Sequence, residues 1–234
     1  MSFQLRRQEL LDGEQLSAML AENPARAAQA ILLAAKQGIE RDPVLARRWF
    51  QIAANAGHLM ARNMLGRCWE HGWGGPSDLT LASLEYRQAA EAGLDWAMYN
   101  YANLLATGRG VAEDQFAALA LYRQAAELGH AKSMNLLGRY LEDGQYCAQD
   151  LKAAWQWYQR SAEGGDFRGQ FSHAAVLAQR GQVDEALEWL RKALAGGNLN
   201  FLRVAQRSLM EAPDPRIRSM ASDFAQRVAQ LQFA

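Results

Sequence analysis

The chain has 234 residues, half of them hydrophobic, and its 25 Lys and Arg are balanced by 25 Asp and Glu. With no net charge it has no field to draw in a polyanion, which argues against nucleic acid, and no apolar stretch nears the roughly 20 residues that cross a bilayer. Two cysteines, Cys68 and Cys147, are too few for a disulfide framework and are expected as free thiols in the cytoplasm.

At the amino terminus the arginines Arg6 and Arg7 are followed by no apolar run, so a secretory signal is not expected, and residues 1–24 are read as an N-terminal helical cap. From residue 25 the chain repeats itself. Asp42, Asp78, Asp114 and Asp150 stand 36 residues apart, as do Ala46, Ala82, Ala118 and Ala154, then Phe50, Tyr86, Tyr122 and Tyr158, and finally Gly57, Gly93, Gly129 and Gly165. These columns define units at 25–57, 61–93, 97–129 and 133–165. A fifth unit at 169–197 keeps Ala186, Trp189-Leu190, Ala193-Leu194 and Gly197, but at an interval of 32, which shortens the connection between its helices. Residues 198–234 are read as a C-terminal helical cap: beyond Pro213-Asp214-Pro215, an apolar stripe of Ile217, Met220, Ala221, Phe224, Val228 and Leu231 predicts a closing helix.

Each column has a physical reason. The aspartate is placed to accept from an unpaired amide where a helix begins, and Pro43 after Asp42 suits the first helical position. The alanines and the aromatic residue share one helical face, and the glycine can take the left-handed conformation that ends a helix. This is the second, or B, helix of each unit. The first, or A, helix carries Ala61, Leu65, Gly66 and Trp69, matched by Ala97, Tyr101, Ala102 and Leu105, then by Ser133, Leu137, Gly138 and Leu141. A glycine inside a helix costs about 0.5–1 kcal/mol relative to alanine, so Gly66 and Gly138 predict close packing. Gly72-Trp73-Gly74 and Gly108-Arg109-Gly110-Val111 form the turns between A and B helices.

In these residues the chain resembles the Sel1-like repeat family, a relative of the tetratricopeptide repeat. The clearest unit runs from Ala97 to Gly129, with Gly108, Gly110-Val111, Asp114, Ala118, Leu121-Tyr122, Ala125-Ala126 and Gly129 in family register. Tyr146 departs from the pattern in place of the second loop glycine, as do Leu105 and Leu141 in place of an A-helix aromatic. The resemblance implies an all-α fold: a right-handed α/α superhelical solenoid of about five helix-turn-helix repeats with helical caps. It also implies an adaptor, since such repeats commonly act as one.

Equipment for catalysis is not visible. No nucleophile elbow, phosphate-binding lysine loop or paired metal-binding histidine motif occurs, so no catalytic residue, metal or cofactor is expected. His58 and His130 each follow a repeat glycine, as residues at a helix start do. Cys68 and His71 lie three apart but lack a second ligand pair. Glu70 and Glu142 recur at one position and read as a solvated face. Trp49, Trp157 and Trp189 fall in the B-helix column and read as structural, whereas Trp73 and Trp96 lie outside it and are candidates for exposed contacts.

Solenoids of helix pairs bind on the concave face lined by A helices. With Ala61, Leu65 and Trp69 turned inward, Met60, Asn63, Arg67 and Glu70 are expected to face the groove, as are Trp96, Tyr99, Asn103 and Ala106, and Lys132, Asn135, Arg139 and Glu142. Asn63, Arg67, Tyr99, Asn103, Lys132, Asn135 and Arg139 thus form an expected ladder of hydrogen-bond donors suited to peptide carbonyls and carboxylates. The expected function is a non-enzymatic adaptor or scaffold holding a peptide or acidic segment of a partner protein, with no nucleic acid and no membrane involved. Two readings compete with it: a self-assembling structural subunit and a metal-dependent or other enzyme. Surface ion pairing of the arginines with Glu70 or Glu142, and the oligomeric state, stay open.

Overall fold

A computed structural model describes residues 24–232, so the cap expected over residues 1–24 lies almost wholly outside the described part. The chain divides into two compact units, Met1–Glu113 and Asp114–Ala234. The first contains α1 (Pro24–Gly38), α2 (Pro43–Asn55), α3 (Leu59–His71), α4 (Leu79–Glu91) and α5 (Asp95–Thr107). The second contains α6 (Gln115–Glu127), α7 (Ala131–Asp143), α8 (Leu151–Glu163), α9 (Phe167–Gln179), α10 (Val183–Gly196), α11 (Leu199–Met210) and α12 (Pro215–Gln232). Among the described residues all regular structure is helical, as the repeat predicts. Within each unit a helix packs on the next in sequence, except that α10 meets α12 rather than α11, and A helices also meet A helices, α1 on α3, α3 on α5 and α7 on α9.

Hydrogen bonds account for the punctuation. Asp42, Asp78, Asp114 and Asp150 each accept from the amide three residues on, at 3.0, 2.9, 2.9 and 2.9 Å, and so cap four B helices, while α10, in the shortened fifth unit, starts without a side-chain cap. Three A helices are capped from a second column: His58 accepts from the Ala61 amide, His130 from Ser133 and Asp166 from Gly169, whereas Leu94 opens α5 without a side-chain cap. Both histidines are therefore helix-start residues. Asn198 repeats the device at 3.0 Å to open α11, so the last two helices continue the helix-pair rule. The repeat glycines Gly57, Gly93, Gly129 and Gly165 take φ of 87, 93, 99 and 83°, the left-handed turn their column predicts.

The core follows the columns. In the first unit Ile31 and Leu32 of α1 meet Trp49, Phe50, Ala53 and Ala54 of α2 and Leu65 of α3. In the second, α9 to α12 share a larger core around Leu190, Leu202, Phe224 and Val228, closed by the predicted final stripe. The A-helix glycines sit where an aromatic ring leaves no room: a Cβ on Gly66 would lie 2.6 Å from the Tyr86 ring, and one on Gly138 2.6 Å from the Tyr158 ring. Their role is steric, as expected.

The loops show a second close approach. A Cβ on Gly74 would fall 2.2 Å from the Pro43 carbonyl oxygen, and one on Gly110 2.3 Å from that of Leu79, so each loop is pressed on the first turn of the preceding B helix. Tyr146 stands where that glycine is missing. It instead meets Phe116 edge-on with ring centroids 5.7 Å apart, and Tyr140 at 5.9 Å. An aromatic contact thus replaces a backbone one.

Candidate functional site

Several polar side chains of the A helices are at least partly exposed. In the first unit Arg67 is half-buried, with its guanidinium over the Trp73 ring at 5.1 Å, and Tyr99 and Asn103 are partly exposed four residues apart on α5. In the second unit Lys132 is partly exposed and Arg139 is exposed, both on α7. Of the two tryptophans singled out in the sequence, Trp96 is 42% exposed at the start of α5, while Trp73 is partly buried and stacks on His71 at 4.8 Å.

The structure does not place Asn63 and Asn135 with them. They are only 2% and 3% exposed. Asn63 Oδ1 accepts a hydrogen bond from Asn100 Nδ2 at 2.8 Å, and Asn135 Oδ1 accepts from Ser172 Oγ at 2.9 Å. Each bond joins residues 37 apart, one repeat plus one, and so ties an A helix to the next A helix. The cause is angular: at about 100° per residue, Asn63 lies about 60° round the helix from Met60, towards Gly66. Spacing alone defined a stripe and could not separate its open centre from the edge that packs.

Glu70 lies on the same edge, about 80° from Met60, and sequence reasoning missed its role. Its Oε2 accepts from Tyr86 Oη at 2.8 Å, while Oε1 pairs with Arg109 Nη1 at 3.2 Å. Glu142 repeats the first contact, accepting from Tyr158 Oη at 2.6 Å. Burial, reinforced by the neighbouring carboxylate, holds both phenols well above the usual range for tyrosine. The signal was present: a glutamate 16 residues before the B-helix tyrosine, and a glycine four before the glutamate, occur twice.

A further polar cluster is structural. Arg62 pairs with Glu85 at 3.0 Å, donates to Gln88 and, through Nη2, donates to the Ala54 carbonyl at 3.0 Å, tying α3 to α2 and α4. Burial raises the Glu85 carboxyl even so, with Arg62 opposing. Cys68 is fully buried, and burial pushes its thiol up to about 11. Among the described residues no three His, Cys, Asp or Glu side chains converge as metal ligands. No helix among them is long and apolar enough to cross a membrane.

The model of the Sel1 repeat matches residues 30–58, 59–94, 97–130, 131–166 and 180–198. No curated protein matches the chain. Among solved structures, a Sel1 repeat protein from Oxalobacter formigenes is 27% identical with a TM-score of 0.71, over 92% of this chain and 93% of that one. A protective antigen present in uropathogenic Escherichia coli strains, displaying an SLR fold, is 24% identical with a TM-score of 0.71. That match covers 93% of this chain but only 48% of the antigen, so the chain spans about half its length. An immunity protein from Pseudomonas aeruginosa shares the fold at 16% identity and a TM-score of 0.56, over 96% of this chain and 84% of that one.

Proposed function

The chain belongs to the Sel1 repeat family, and on that premise we propose that it is a non-enzymatic adaptor that holds an extended, acidic segment of a partner protein on the exposed face of its A helices. The family consists generally of protein-interaction scaffolds, which supports the coarse part of this reading. One observation carries the finer part. Donor side chains stand at least partly exposed on the A helices: Arg67, Tyr99 and Asn103 in the first unit, Lys132 and Arg139 in the second. Arginine can hold a carboxylate through two parallel hydrogen bonds, and the phenol and amide serve peptide carbonyls. The cytoplasm is the compartment this reading assumes, and both Cys68 and Cys147 are unpaired thiols.

Photo-crosslinking tests it. A benzophenone amino acid placed at Tyr99 or Arg139 is expected to capture the partner, whereas one at Arg87 on α4 or Lys152 on α8, both exposed B-helix positions, is not. Equal capture at all four positions would show that the A-helix face has no special role. A second reading, assembly of copies, is favoured by Val204 and Met210, which are 66% and 59% exposed on α11. Light scattering over a concentration series separates the two, since assembly predicts a mass that grows with concentration.

A further inference from the structure

The donors are unevenly spread, and in the first unit three arginines surround the end of α3, one of them on the Glu70 carboxylate and two over the Trp69 and Trp73 rings. Arg47 of α2 lies over the Trp69 ring, 3.3 Å from its centroid. Arg67 of α3 stands over Trp73 at 5.1 Å. Arg109, from the loop after α5, reaches Glu70 at 3.2 Å with 48% of its side chain exposed. Glu70 is pinned from behind by the Tyr86 hydroxyl. The same neighbourhood is felt by the buried groups beneath it: Arg47 and Arg67 both oppose the rise of the Cys68 thiol, and Arg67 and Glu70 act on the Tyr86 phenol in opposite senses.

The repeat does not require Arg47 or Arg109, although Arg67 recurs as Arg139. At intervals of 36, Arg47 is matched by Ser83, Leu119 and Trp155, and Arg109 by Trp73 and Gln145. In the second unit Glu142 binds Tyr158 as Glu70 binds Tyr86, yet the position matching Arg109 on the next repeat is Gly181. The fold is therefore built there without an arginine at this point. Among the described residues Arg47 and Arg67 have no carboxylate within ion-pair distance, so the cluster carries a local excess of positive charge.

Stacking on an indole uses the face of a guanidinium and leaves its N–H groups, which lie in the plane, pointing outward. We propose that Arg67 and Arg109, beside Trp73, form a seat for a carboxylate side chain of an acidic partner segment. This rests on the scaffold reading above and gives its partner a chemistry. The occupant follows from charge complementarity. A chain with no net charge does not attract a long polyanion, but a local excess of arginine suits one or two spaced carboxylates, which the planar fork grips in bidentate fashion. Glu70 is then an internal competitor, holding Arg109 until a partner's carboxylate arrives.

The test uses the full chain and a fluorescein-labelled peptide of alternating glycine and aspartate, with a glycine-asparagine peptide as control. Anisotropy at low ionic strength is expected to show binding of the acidic peptide alone, weakened about tenfold by Arg67→Gln and by Arg109→Gln and unchanged by Arg87→Gln on α4. Glu70→Gln is expected to tighten binding several-fold, because the amide still accepts from Tyr86 but no longer competes for Arg109. The Nε–Hε signals of Arg67 and Arg109 and the indole N–H of Trp73 should shift on titration. Arg67→Lys keeps the charge without the fork, so it covers the case in which Arg67→Gln disturbs folding, and partial recovery of binding is expected. Unchanged binding in a folded Arg67→Gln/Arg109→Gln variant would overturn the seat, as would tighter binding of single-stranded RNA or a phosphopeptide through the same arginines. Failure of wild type to bind the acidic peptide also overturns it. The scaffold reading would then still stand or fall on the crosslinking at Tyr99 and Arg139.

Discussion

Gly66→Ala is a substitution whose sign separates two local effects. In an isolated helix the change stabilises by about 0.5–1 kcal/mol, because alanine has less backbone freedom to lose. Here the new methyl would lie 2.6 and 2.7 Å from two ring carbons of Tyr86, a side chain fully buried and tethered by its hydroxyl to Glu70. Overpacking of this kind costs about 1–3 kcal/mol. The net expectation is a loss of about 1–2 kcal/mol from the first unit, read by urea denaturation followed by circular dichroism. The ring is the obstacle, so the sign should reverse when it is removed: in a Tyr86→Ala background, Gly66→Ala should stabilise by the helix-propensity gain. Tyr86→Phe keeps the ring and should keep the penalty. Gly138→Ala should behave as Gly66→Ala does, facing Tyr158 at 2.6 Å and the Ala154 carbonyl oxygen at 3.1 Å. If Gly66→Ala stabilises the protein with Tyr86 intact, the reasoning about glycine and ring is wrong.

Alkylation should discriminate the two thiols: Cys147, partly exposed, reacts with iodoacetamide well before Cys68, whose thiol is buried and raised to about 11, and mass spectrometry of timed digests would read the order. The raised phenols of Tyr86 and Tyr158 predict stability independent of these groups below the ordinary tyrosine value of about 10 and falling above it, by about 1.4 kcal/mol per pH unit for each. In that range the unfolded chain releases protons that the native state keeps, so Tyr86→Phe with Tyr158→Phe should flatten the alkaline limb of a denaturation series. Loss of a cap is the simplest test of the aspartate column: Asp78→Ala should cost about 1 kcal/mol by removing the bond to the Leu81 amide, and Asp78→Asn much less.

The repeat was legible because its signals are local and recur. An aspartate cap, a buried small pair and a left-handed glycine each act within one helix, so spacing alone located them at Asp42, Ala53-Ala54 and Gly57 and at their fellows. The purpose of Gly66 and Gly138 was legible for the same reason, since only a close neighbour explains a glycine inside a helix. What spacing could not resolve was how an exposed stripe divides between open surface and helix contact. Asn63 and Asn135 differ from Arg67 and Arg139 by about 40° around the helix, and that rotation takes the amides into the joint between A helices. Glu70 and Glu142, read as solvated, are receptors for buried tyrosine hydroxyls, because a hydroxyl placed in the core needs an acceptor. The arginine cluster was invisible for another reason: Arg47, Arg67 and Arg109 come from three segments, and only packing brings them to the end of α3, over Trp69, over Trp73 and onto Glu70.

The central claim, that donors on the A helices hold a partner protein, is tested most directly by affinity capture from a native lysate with two baits, the wild-type chain and an Arg67→Glu/Arg139→Glu variant of matched melting temperature. The account predicts a partner recovered with wild type and lost from the variant. Recovery of the same protein in the same amount with both baits would contradict it.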